Sequence, residues 1–373
     1  MRLILALAGI LIAQAAAAQD AWNIGVIAPT TGPLSTVGVR QQSAVQWWAQ
    51  DVNAKGGIKG KKVNIIPCND DGSPEKSVTC TRNLLDQHIV LLLNASVSGP
   101  IQAVMPLVAD KGPVMVTPSP NLSPSPSSYV FQTSPAVEDH ARAIANFVKN
   151  DGGSLVGILA ATDTSGEVGI AQSSAIFDAA GIKHEASRID LRANDATIQL
   201  SQITQNKPAL IYSIYSGGGA ATVVKSYANL GLKVPLLVSY ANVTDAFIDL
   251  IKNDMPSRLL AVGLKAAAPA LIQDPKEREH VEYFEKAYKA WKGENADHLS
   301  LLGLTMADFA AAVLENVPNP SDPAAVKQYV ETHPIPSVST MHFSSKTHVG
   351  FVADDMTVLE YKKDHWEKAA TLK

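Results

Sequence analysis

The chain has 373 residues, 18% of them charged, a formal net charge of −4 and two cysteines. At about 100–200 residues per domain, that length predicts two lobes, each able to bury its own core. The mildly acidic balance argues against nucleic acid or anionic lipid as a partner.

At the N-terminus, Arg2, an apolar run over 3–12 and Ala16-Ala17-Ala18 read as a cleavable secretory signal spanning 1–18. The run is too short to cross a bilayer, and no later stretch is expected to do so. The mature chain is therefore expected to be a soluble periplasmic protein, one unit more negative once Arg2 leaves. In an oxidising compartment Cys68 and Cys80, at the end of a strand and within the helix that follows it, suit a disulfide, with two free thiols as the alternative. A zinc site needs more soft ligands than this pair supplies.

From residue 22 onward, short β-type runs alternate with helical periodicity. Strands are predicted at 22–27, 62–67, 88–94 and 113–117, and helices at 38–53, 74–87 and 99–110. The stretch 121–128 is rich in serine and proline, and a first crossing between lobes is placed near Thr133-Ser134-Pro135. A second alternation follows, with helices at 137–150, 166–180, 196–205 and 218–230 and strands at 155–159, 183–189, 209–214, 235–238 and 259–264. Ala266 to Pro269 suggests a second crossing. Three consecutive helices, 275–292, 299–316 and 323–332, then need a sheet to cover. Pro334 and Pro336 suggest a third crossing, followed by strands at 340–343 and 356–361. The pattern predicts an α/β protein of two Rossmann-like lobes with parallel sheets, the first built from 19–134 plus 265–334 and the second from 135–264 plus 335–373.

Enzyme signatures are missing where they would be expected. No serine has the two flanking glycines of a nucleophile elbow, and His184-Glu185 lacks the second histidine of a zinc-protease helix. Gly217-Gly218-Gly219 opens a helix after a strand but has neither the dinucleotide fingerprint nor a P-loop lysine, so it reads as a flexible turn, with close approach of a ligand to the backbone as the alternative. Asp70-Asp71 before Gly72-Ser73-Pro74 reads as a helix-capping turn. No catalytic residue, cofactor or metal is expected.

A binding site is better supported. In open α/β sheets ligands sit at the carboxyl ends of strands, and here those loops are uncharged and rich in hydroxyls. Ser98-Gly99-Pro100 can begin a helix whose free N–H groups hold a carboxylate, with a cap of its own helix as the alternative, compatible role for Ser98. Ser119, Pro120 and Asn121 follow the next strand and can add hydrogen bonds to the same anion. Tyr215 and Tyr240 end second-lobe strands and offer an aromatic wall, with a core or lobe-interface role as the alternative for each.

The segments 22–35 and 51–60, the Asn69-Asp70-Asp71 turn, Val116-Thr117-Pro118 and the Leu230-Gly231-Leu232-Lys233 turn together resemble the leucine/isoleucine/valine-type binding proteins of ABC importers. The resemblance implies two lobes joined by three hinge strands, closure around a solute, and docking of the closed form on membrane permease subunits, with the monomer as the default state. It implies that Ser98 and the Ser119 to Asn121 segment hold a carboxylate. In such amino-acid binders an acidic residue after a second-lobe strand holds the ammonium, and counting from Gly231 that position is Tyr240. Tyrosine positions of those binders match Val37, Ser165 and Ser216. An enclosed ammonium without a charge partner costs several kcal/mol, so the expected solute is a small carboxylate without an α-ammonium, such as an aromatic, keto or hydroxy acid. A branched-chain amino acid or amide is the alternative, and a ligand sensor or exported enzyme stands behind both.

Overall fold

The computed structural model describes residues 21–32, 34–190 and 192–372, so the expected signal segment lies outside the described residues. The first lobe runs β1 (Trp22–Ala28), α1 (Ser35–Ala54), β2 (Val63–Asn69), α2 (Pro74–Leu85), β3 (Leu91–Asn94), α3 (Ser98–Val108), β4 (Val114–Thr117) and β5 (Val130–Gln132). These strands form a parallel sheet in the order β2-β1-β3-β4-β5. Strands β3 and β4 are fully buried and apolar up to their last residues, Asn94 and Thr117, as expected when helices cover both faces, whereas the edge strand β2 is mostly accessible.

The second lobe continues with α4 (Val137–Asn150), β6 (Leu155–Ala161), α5 (Thr164–Ala179), β7 (Lys183–Ile189), α6 (Thr197–Thr204), β8 (Leu210–Ile214), α7 (Gly217–Asn229), β9 (Leu236–Val238), α8 (Asp245–Ile251) and β10 (Leu259–Leu264). Three helices follow, α9 (Pro275–Lys292), α10 (His298–Asn316) and α11 (Pro323–Thr332), and then β11 (Met356–Lys362) and β12 (His365–Lys368). The sheet order is β12-β11-β10-β9-β8-β6-β7, with β11 antiparallel to β10 and β12 antiparallel to β11. Helices α2, α9 and α11 begin alike, with the side chain of Ser73, Asp274 or Asp322 accepting a backbone N–H ahead of a proline in the first turn.

The helices α9 to α11 return to the first lobe. Trp47 of α1 meets Phe284 of α9 edge-on at 5.0 Å, and Thr305 of α10 donates to the Thr133 carbonyl at 2.9 Å. Gly303 permits this approach, since a β-carbon there would overlap the Gln41 carbonyl of α1. By length and composition α10 is apolar enough to cross a membrane, against the sequence expectation, but 83% of that stretch is buried in the fold. Its apolarity comes from contacting protein on nearly every side.

Other differences from the sequence reading are local. The Ser/Pro-rich stretch leads into β5, and α8 and β12 are further elements that short patterns did not reveal. Residues 340–343 form no strand beyond an isolated bridge of Met341 to Ile335. Residues 335–351, assigned to the second lobe from the proline signal, pack on the first: Val349 pairs with Gln132 at the sheet edge, and Phe343 meets Phe131 edge-on at 5.4 Å. The unpaired edge of β5 attracts this segment, so the third crossing falls after Gly350 and not at Pro334. Cys68 on β2 and Cys80 on α2 are joined by a disulfide with their Cα atoms 5.7 Å apart. In the turn between them Asp70 accepts from the Gly72 N–H at 3.0 Å, while Ser73 is the actual cap of α2.

Candidate functional site

The carboxyl ends of both sheets face one cavity between the lobes. On the first lobe, α3 starts with Val97 as a cap that offers no side-chain acceptor, and Ile101 is the first of its N–H groups to bond within the helix, to the Val97 carbonyl. The Ser98 and Gly99 amides therefore stay available at the positive end of the helix. Ser98 is 1% exposed and does not cap its own helix. Its hydroxyl lies 3.3 Å from Ser119 Oγ and 3.1 Å from Ser165 Oγ, and accepts from Asn121 Nδ2 at 2.9 Å.

Ser165 belongs to the first turn of α5, so the Ser98 to Ser165 contact joins the two lobes and brings two helix N-termini face to face. This is a closed arrangement. Asp163 caps α5 by accepting the Gly166 N–H at 2.8 Å, and it is the only acidic side chain in the cavity wall among the described residues. No lysine or arginine lines that wall among them.

The second-lobe aromatics are arranged differently from the expected open wall. Tyr215 is 3% exposed and spends its hydroxyl on the Asp190 carbonyl at 2.7 Å. Burial, with Asp163 and Asp190 nearby, pushes that hydroxyl up to about 12. Its ring occupies the space beside Gly219, where a β-carbon would overlap it. The triple glycine is thus a packing feature: Gly217, with a φ of 62°, is pinned by its N–H to Asn242 Oδ1 at 3.2 Å.

Tyr240 stacks on His140 of α4 with centroids 5.3 Å apart and planes within 5°, and His298 lies 5.7 Å away at 51°. A face of Tyr240 is therefore already covered, and its hydroxyl, raised by burial, has no hydrogen-bond partner among the described residues. Burial, and secondarily His298, lowers His140 to about 3, and burial lowers His298 to about 4. Both imidazoles are neutral near pH 7, and the position where an ammonium-binding acid was sought holds a neutral aromatic stack.

Of the residues singled out from sequence, Ser98, Ser119, Pro120, Asn121 and Val37 line the cavity from the first lobe. Ser165, Tyr215, Ser216 and Tyr240 line it from the second. Gly99 does not line it and instead faces Thr164 across the seam between the lobes. Sequence reasoning missed Gln41, His140 and Tyr212, which also line the wall, as do Ser96 and Asp163 of the strand-end loops it pointed to without singling them out.

The pattern of the family described as periplasmic binding protein matches residues 21–366. The chain belongs to that family. Among solved structures, a type 1 periplasmic binding protein from Bordetella pertussis superimposes with a TM-score of 0.80 at 24% identity, covering 94% of this chain and 100% of that one. A solute-binding protein of an ABC transporter from R. palustris, solved in complex with benzoate, gives 0.77 at 18% identity, covering 95% and 96%. The Leu/Ile/Val-binding protein BraC3 of Rhizobium johnstonii is 30% identical over 129 residues, 34% of this chain and 35% of its own length. The matched segment thus spans about a third of such curated relatives. The fold is the two-lobed type I arrangement of periplasmic binding proteins.

One constellation outside the cleft resembles a nucleophile set. His280 Nε2 and Ser337 Oγ both bond Asp308, at 3.1 and 2.7 Å. The serine contacts the carboxylate and not the imidazole, so the serine–imidazole–carboxylate order of a nucleophile relay is not made. The trio ties the segment after α11 to α9 and α10 of this periplasmic binding protein.

Proposed function

We propose that this periplasmic binding protein captures a small carboxylate lacking an α-ammonium and delivers it to the permease of an ABC importer, without transforming it. The observation that carries this reading is the wall itself. Hydroxyls of Ser98, Ser119 and Ser165, the Asn121 amide and two opposed helix N-termini suit an anion, while Tyr240 and the neutral His140 stand where a counter-ion for ammonium would be needed. The cavity measures about 90 Å³.

In this reading the solute docks first on Ser98 and the Ser119 to Asn121 segment, and closure then brings Ser165, Ser216, Tyr215 and Tyr240 over it. Contacts from both lobes shift the population toward the closed form. Residues 1–18 direct export and are removed, and the mature monomer works in the periplasm. A second reading, a branched-chain amino acid, draws on the names of the curated relatives and on Asp163 in the wall. A thermal-shift panel separates the two. Benzoate-type and keto acids are expected to raise the melting temperature, and strong stabilisation by leucine or valine with none by those acids would overturn the proposal.

A further inference from the structure

One buried side chain in the cavity wall serves neither the fold nor the Ser98 cluster. Gln41 lies on α1, one turn beyond Val37, and is 3% exposed. Its Oε1 is sealed from solvent without a hydrogen-bond partner, and its Nε2 has none among the described residues. The same holds for the neighbouring wall residue Ser96, whose Oγ is also buried and unpartnered. Packing does not explain the amide. The close approach of α10 at Gly303 uses the backbone of Gln41, and an apolar side chain of equal length would fill the position.

A buried amide without partners is costly, and interiors rarely tolerate one unless something else completes it. The charged wall residue Asp163 is engaged with the Gly166 N–H through one oxygen, and the wall offers no cation among the described residues. Water or the solute can complete it, and the place of Gln41 in the cavity wall points to the solute. A primary amide both donates and accepts, and in a cavity of about 90 Å³ the smallest neutral group that also does both is a hydroxyl.

We propose that Gln41 is a specificity-determining residue that hydrogen-bonds a neutral hydroxyl on the bound carboxylate. This builds on the carboxylate reading for the anchored end and names the second group of the ligand. The probes are isosteric pairs differing only in hydroxyl against methyl: the three hydroxybenzoates against the three methylbenzoates, and threonine against valine. Calorimetric titration of the unfolded and refolded full mature chain is expected to show one hydroxybenzoate binding at least about tenfold tighter than its methyl partner. In Gln41→Leu that ratio falls to near one, with the methyl compound bound at least as well as before.

The ligand-free variant is also expected to melt at a higher temperature than the parent, because an unmet buried amide has been removed. A purely structural glutamine would give a lower one. Equal affinities within every pair in the parent protein, or a preference that survives in Gln41→Leu, overturns the proposal. If threonine and valine bind and the benzoates do not, the ammonium-free reading fails, and the threonine-to-valine ratio in parent and variant decides the role of Gln41.

Discussion

Ser98 is the residue on which the two lobes converge, since its hydroxyl meets Asn121 and Ser119 from its own lobe and Ser165 from the other. Replacing it with alanine removes no core volume, and water can replace the hydroxyl for its three partners in the ligand-free cleft but not once the site has closed on its ligand. At about 1–3 kcal/mol for such a loss, Ser98→Ala is expected to bind the best ligand of the thermal-shift panel roughly ten- to a hundredfold more weakly, with little change in the ligand-free melting temperature. Calorimetric titration checks this, and unchanged affinity would remove Ser98 from the site. The hydroxyl residues were legible in the sequence because they follow strands, where the fold rule places ligands. Gln41 and His140 were not, because both sit on the inward faces of helices: Gln41 with Gly38, Ala44, Val45 and Trp48 on α1, and His140 with Val137, Ala141 and Ile144 on α4. At that spacing a polar residue looks like an ordinary core position, and only the missing partners of its side chain distinguish it.

At the level of elements, the strand and helix alternation was readable because each lobe buries aliphatic runs between amphipathic helices. What escaped were pieces held by tertiary pairing and not by their own pattern, such as three-residue β5, β12, and the segment around Val349 that completes the β5 edge. The same logic bears on the disulfide, which ties the middle of α2 to the end of β2 across a separation of 12 residues. Closing a loop of that size restrains the unfolded chain and is worth about 3 kcal/mol. The double variant Cys68→Ser with Cys80→Ser is expected to unfold at lower denaturant concentration by about that free energy, as read from an equilibrium unfolding curve. Ligand affinity should stay unchanged, since neither cysteine lines the interlobe cavity.

Across the whole molecule, the two buried histidines beside Tyr240 and the partly exposed His280 give opposite dependences on pH. His140 and His298 flank Tyr240, and burial holds them at about 3 and about 4, below the ordinary 6.5. Between those values and 6.5 the unfolded chain binds more protons than the folded one, so their contribution is fully present above pH 6.5 and is lost as the pH falls toward 4. For His280, burial acts to lower the pKa, but the facing carboxylate of Asp308 outweighs it and the net shift is upward. Its contribution is therefore present below 6.5 and lost as the pH rises through the folded value. The two windows meet at 6.5 and do not overlap. Calorimetric melting from pH 4.5 to 8.5 is expected to show His140→Phe, which keeps a ring against Tyr240, losing less stability on acidification than the parent, by about 3 kcal/mol at pH 4.5. Its alkaline limb should be unchanged. His280→Gln should flatten only the alkaline limb. Acid limbs of equal slope in His140→Phe and the parent would mean that His140 takes up its proton without unfolding, and that the stack with Tyr240 does not hold it neutral.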